Sequence, residues 1–258
     1  MVCSPSARDY GHEEAPRLGI GPARVQASRV MRIAISQSNY IPWKGYFDLI
    51  QSVDEFVLFD DVQYTRRDWR NRNRIKTPQG LAWLTIPVQT TGQYLSAIKD
   101  IVVTDDAWAK KHWKTIVAIY AQAPHFKACA ARFEPLYLGS TETHLSRINH
   151  RWLQVACAML EIPTRFTWSM DYEVVAGRTE RLVSICQQAG ASTYISGPSA
   201  RGYIDPQCFE AAGIELQYFD YSGYQPYPQL HGPFEHAVSV IDLLCHTGPD
   251  ARRYLRRT

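Results

Sequence analysis

The sequence predicts an α/β fold, a mainly parallel Rossmann-like sheet flanked by helices, with a helical insertion around 105–162. Three observations predict it. Short apolar runs of strand length alternate with helical stripes at both ends of the chain. Between about 105 and 162 the apolar period is helical. Polar clusters fall at the carboxyl ends of the strands, where open α/β sheets bind ligands.

Taken in order, residues 1–30 show no sustained apolar period and carry Pro5, Pro16, Pro22, Gly11, Gly19 and Gly21. A disordered or loosely packed extension is expected there, followed by a single domain over 31–258. "MRIAIS" (31–36) reads as a buried strand, and Trp43, Tyr46, Phe47 and Ile50 as the stripe of a first helix. "DEFVLFDDV" (54–62) is a second strand, with Asp60 and Asp61 at its end. Strands are also expected at 82–88 and 97–104. Helical stripes follow at Trp113–Tyr120 and Leu145–Met159, then at Leu182–Ala189 with Thr179 as N-cap. Two short strands, 192–197 and 214–219, precede a closing helix at 234–248 ended by Gly248.

The 258 residues are 45% hydrophobic and 21% charged, an ordinary globular composition. A net charge of +3 gives no argument for nucleic acid. No apolar run approaches the roughly 20 residues of a membrane helix. The six cysteines are scattered without a C-x-x-C pair and read as small core residues, which suits a reducing cytoplasmic setting. His112, His144 and His150 have no metal-ligand spacing and read as structural or solvated.

Three clusters carry the chemistry. In "ISQSNYIPWKGYFDLI" a strand meets a helix whose first amides are free to bind an anion. Gln37 and Tyr40 are polar groups at that strand end and are read as functional. Trp43 and Phe47 are read as core, and Gly45 as permitting a close approach. In "FDDVQYTRRDWRNRNRIKT" six cations (Arg66, Arg67, Arg70, Arg72, Arg74, Lys76) lie within eleven residues. Extended chain would put Asn71 and Asn73 on one side and the arginines on the other, a pattern suited to phosphate or carboxylate. Asp60 either binds Mg²⁺ beside a nucleotide or holds those arginines. "YISGPSARGYID" could offer an amide nest at Ser196 and Gly197. The turn-rich, aromatic "YQPYPQLHGPFEH" (224–236) suits a lid or pocket wall.

These blocks, with "WLTIPV" and "YPQLHGPFEHAVSVIDLL", resemble in order the signature blocks of the WbqC-like protein family, from Met31 to about Gly248. Ser38 stands where that family's pattern has proline, a change expected to loosen the loop. The resemblance implies site residues Gln37, Tyr40, Trp43 and Tyr46 in the first block. It implies Asp60, Gln63, Tyr64, Trp69, Asn71, Arg72, Asn73, Arg74 and Lys76 in the second. Ser196, Gly197 and Tyr203, then Tyr227 and Gln229, follow in the last two.

The family is associated with bacterial surface-polysaccharide and other biosynthetic clusters, and some members are proposed to transfer glycine or a related group onto a sugar. The resemblance therefore implies an acyl or aminoacyl transferase acting on an amine or hydroxyl of a small biosynthetic intermediate. In that reading Arg72, Arg74 and Lys76 clamp a phosphate or carboxylate, while Asp60 orients the nucleophile or a metal. Two alternatives stay open: an ATP-dependent ligase or nucleotidylyltransferase-like enzyme using ATP with Mg²⁺, and a non-catalytic ligand-binding protein of a biosynthetic complex. The layout also looks loosely like nucleotidylyltransferase-type proteins, whose paired histidines this chain lacks. The expected partner is a phosphorylated or carboxylated small molecule, with neither nucleic acid nor membrane; a homodimer stays open.

Overall fold

In the computed structural model, which describes residues 1, 30–92, 95–173 and 175–256, the first strand is β1 (Arg32–Ser36), followed by α1 (Lys44–Gln51) and β2 (Glu55–Leu58). A hairpin follows, β3 (Arg72–Thr77) with β4 (Gly80–Thr85), then α2 (Ala107–Tyr120), α3 (Phe126–Leu138) and α4 (Leu145–Met159). The chain continues through β5 (Arg165–Trp168), α5 (Arg178–Gln188), β6 (Thr193–Ser196), α6 (Pro206–Ala211), β7 (Glu215–Tyr218) and α7 (Val240–Thr247). The extension expected over 1–30 lies, from residue 2 to 29, outside the described residues.

Five strands form one parallel sheet in the order β5-β2-β1-β6-β7. The expected α/β fold is therefore present, and the inserted helices α2–α4 fall within 105–162. Both faces of the sheet are covered at its centre, which is why β2 and β6 are buried throughout and β1 at all but its ends, while the edge strands β5 and β7 are not. Period-two alternation sorts their side chains. Ala34, Phe56 and Leu58 join a core with α1, the inserted helices and α7. Ile33, Ile35 and Val57 face the opposite way, into a second core with α5 and α6. Cys129, Cys157, Cys186 and Cys245 are buried, as small core residues should be.

The chain builds outward from β1 through β2 to β5, then returns to the far side of β1 for β6 and β7. That reversal leaves a crevice at the carboxyl ends of β1 and β6, the switch point where α/β sheets take ligands.

Three local expectations are corrected. Residues 97–104 are not a strand: Ile98 and Ile101 are both buried, a spacing of three that suits the 3-10 turn Ile98–Asp100 rather than alternation. The cap of α5 is Gly177 at φ 98°, while Thr179 lies buried in the first turn and accepts from the Asp205 amide at 3.2 Å. The closing helix begins only at Val240, capped by Ser239, whose own amide goes to Arg74 O at 2.8 Å. Gly248 does end it, at φ 50°, and a Cβ there would strike the His125 ring at 2.4 Å.

Candidate functional site

The crevice at the switch point is a cavity of about 780 Å³. One wall comes from the end of β1 and the turn after it: Ser36, Gln37, Asn39, Trp43 and Tyr46. Another is Gln63, Trp69 and Arg70. The start of α5 contributes Gly177, Arg178 and Arg181, and the loop after β6 contributes Ser196, Gly197, Ser199 and Tyr203. Tyr221 closes the ring from the irregular segment after β7. Among the described residues, the lining includes no Asp, Glu, His, Cys or Lys.

The turn after β1 is held by partners from across the chain. Ile41, a β-branched residue, sits at φ 38°, and Pro42 follows it. The Tyr40 amide donates to Trp69 O at 3.1 Å, and Asn73 Nδ2 donates to Tyr40 O at 3.1 Å. Asn71 Nδ2 donates to Ile86 O at 2.8 Å. The two asparagines thus face inward while Arg72 and Arg74 alternate with them, as predicted, but the asparagines are braces and do not line the larger cavity.

Asp60 is fully buried beneath this turn. Its Oδ1 accepts from the Ser38 amide at 2.8 Å and its Oδ2 from Ser146 Oγ. Burial raises its pKa against those hydrogen bonds. Ser38 Oγ accepts in turn from Asn149 Nδ2 at 3.0 Å. A proline at position 38 would have no amide for Asp60, so Ser38 tethers the loop rather than loosening it.

Tyr40 is likewise core: its hydroxyl meets His112 Nδ1 at 2.9 Å and Tyr137 Oη at 2.8 Å, between Trp108 and Trp152. Tyr64 is buried outside the lining. Gly45 does permit a close approach, but by the Trp43 indole of its own turn, which a Cβ would meet at 2.3 Å.

Of the residues named from the sequence, Gln37, Trp43, Tyr46, Gln63, Trp69, Ser196, Gly197 and Tyr203 come together on the larger cavity. Lys76, Tyr227 and Gln229 meet elsewhere. Lys76 Nζ donates to Gln229 Oε1 at 2.7 Å and to Pro233 O, and Tyr227 Oη donates to Asp242 Oδ1 at 2.9 Å. That buried network fastens residues 227–235 to α7. It joins neither cavity.

Arg74 lines a smaller cavity of about 220 Å³ with Pro42, Asn73 and Ala237; it shares Asn39, Trp43 and Trp69 with the larger one. Arg72 lies on the outside of the hairpin, 4.2 Å from the Trp83 ring.

The cations on the larger cavity are Arg70, Arg178 and Arg181. Arg70 donates to Asn39 Oδ1, sits 3.6 Å from Asp68, and keeps a buried Nε with no partner among the described residues. Arg181 pairs with Asp61. Arg178 lies over the Tyr203 ring at 5.4 Å. Arg70 was within the basic run. The other two carry a signal of their own, since arginines in the first turn of a helix oppose its dipole.

Any metal would find few ligands here. Asp60 and Asp61 are committed to Ser38, Ser146, Ser169 and Arg181. Among the described residues no three His, Cys, Asp or Glu side chains gather as a metal site. Nor is any described helix long and apolar enough to cross a membrane.

A family model described as the WbqC-like protein family matches residues 37–254. An uncharacterized protein of Mycobacterium tuberculosis, Rv1507c, is 52% identical over 225 residues, covering 87% of this chain and 97% of its own. No solved structure matches. The family match takes in the turn after β1, the hairpin, the start of α5 and the loop after β6, which together build both cavities. The chain belongs to the WbqC-like protein family.

Proposed function

We propose that the chain transfers an acyl or aminoacyl group of glycine-like size to an amine or hydroxyl of a small biosynthetic intermediate. The observation that carries this reading is the pair of cavities meeting at Asn39, Trp43 and Trp69. Two compartments with a common wall suit two substrates that react across it, whereas a binding protein needs one.

The larger compartment takes the anionic partner. Three guanidinium groups and the open amide end of α5 suit phosphate or carboxylate. A bound anion would also offset the dipole penalty of Arg178 and Arg181, which the single acid of that turn, Glu180, only partly relieves. With no cysteine, histidine or free carboxylate on the wall, catalysis rests on positioning and electrostatics. The acceptor attacks the acyl carbonyl directly, without an acyl-enzyme. Asp60 orients the Ser38 amide and the turn and does not touch the reacting atoms.

A second reading is an ATP-dependent ligase, favoured by the cavity's size and by Trp69 and Tyr203 as faces for an adenine. Phosphates fit the arginines; Mg²⁺ would be held by the phosphates, with no carboxylate from the described lining. Amino-acid-dependent exchange of pyrophosphate into ATP separates the two. The transferase reading predicts no exchange with glycine, together with an unmodified intact mass after incubation with an activated glycyl thioester. Exchange would establish the ligase, and a covalent glycyl adduct on a lining residue would overturn direct transfer.

A further inference from the structure

Arg72 and Arg74 were expected to clamp an anion inside the site, yet most of what they touch is aromatic and lies on the hairpin's outer face. The Trp69 and Trp83 rings stand 5.4 Å apart there, 40% and 45% exposed. The Arg72 guanidinium is 4.2 Å from Trp83; that of Arg74 is 5.6 Å from Trp69 and 5.8 Å from Trp83. The Nε of each arginine is buried with no partner among the described residues. Arg66 and Arg67 are exposed on the loop just before. Arg72 spends one Nη on Arg67 O, but two neighbouring exposed indoles flanked by guanidiniums are still a costly surface to keep without a ligand.

An apolar ligand would leave the arginines unused, and a bare phosphate would leave the indoles unused. A planar base joined to a phosphate uses both: the ring stacks and the guanidinium takes the phosphate. Trp69 also borders both cavities, so a ligand on this face ends at the transfer site.

We propose that the Trp69–Trp83 face binds a nucleoside 5′-phosphate unit carried by the activated acyl donor. This rests on the transfer reading above. The donor's acyl C–O bond breaks and the nucleotide oxygen leaves with its electron pair. The acceptor's nitrogen or oxygen bonds the acyl carbon, and its proton passes to the leaving oxygen or to water. Such a unit has two sources, a free acyl nucleotide or the single-stranded 3′ end of an acylated RNA. Arg66, Arg67, Arg72 and Arg74 are the local cations, enough for an end of a few nucleotides and too few for a long duplex.

Tryptophan fluorescence of the full chain, titrated with AMP and with the trinucleotide CCA, tests the proposal. The key variants are Trp83→Ala and Arg72→Ala, since neither residue lines a cavity, with Trp83→Phe as the conservative control. Wild type and Trp83→Phe are expected to bind at least one ligand. Trp83→Ala should weaken it by roughly fivefold to a hundredfold, the loss of one base stack. Preference for CCA assigns the RNA end, and equal or better binding of AMP assigns the free nucleotide. Failure of both ligands to bind, or unchanged binding by Trp83→Ala, overturns the proposal. Inorganic pyrophosphate is titrated in parallel into wild type and Arg72→Ala: binding that Arg72→Ala leaves unchanged comes from the larger cavity, and so separates failure of this face from failure of the site.

Discussion

At residue scale, single groups hold the site by what they accept and donate beneath it. Ser38 is the clearest case. Ser38→Pro deletes the amide that Asp60 accepts and is expected to cost about 1–3 kcal/mol, the penalty of a buried acceptor left short, as a lower urea midpoint. His112 gives a second test. Burial holds it near pKa 4 against an ordinary 6.5, so it is neutral in the folded state. Above pH 6.5 both states are neutral; as the pH falls the unfolded chain takes up a proton that the folded chain refuses. Stability is therefore lost as pH falls from 6.5 towards 4, on the order of 3 kcal/mol in all. His112→Gln should flatten that part of the profile; an unchanged profile would contradict the assignment. That Tyr40 and His112 form one buried pair was not legible from the residues alone, because they are 72 apart and only the tertiary fold joins them.

At the scale of elements, what was legible followed from periodicity. The central parallel strands β1, β2 and β6 declared themselves as apolar runs, and α4 by its stripe. α3 did not, since Pro135 interrupts it and its apolar face is weakly segregated. β5, "RFTW", is a half-exposed edge strand with no apolar run to mark it. The site was legible in part for the same reason. Gln37, Ser196 and Gly197 sit at strand ends, whereas Arg178 and Arg181 became site residues only once α5 was placed. The hairpin brace is an element-scale claim with its own test. Asn73→Ala frees the Tyr40 carbonyl and should loosen the turn, weakening ligand binding at the larger cavity more than it lowers stability. Equal binding by wild type and variant, measured by calorimetry, would reduce Asn73 to a packing role.

At the scale of the whole molecule, the sheet reversal between β1 and β6 is proposed to make an anion site. Gly197 offers a direct test because it can carry a side chain. Its φ of −68° suits any residue, and a Cβ would meet nothing nearer than Tyr221 Oη at 4.0 Å. Gly197→Leu should fold as wild type while filling the crevice. The measurement is calorimetric titration of both proteins with inorganic pyrophosphate. Wild type is expected to bind, more weakly with added salt, and Gly197→Leu not to bind, at an unchanged melting temperature. Pyrophosphate that binds neither protein, or binds both alike, would contradict the anion site.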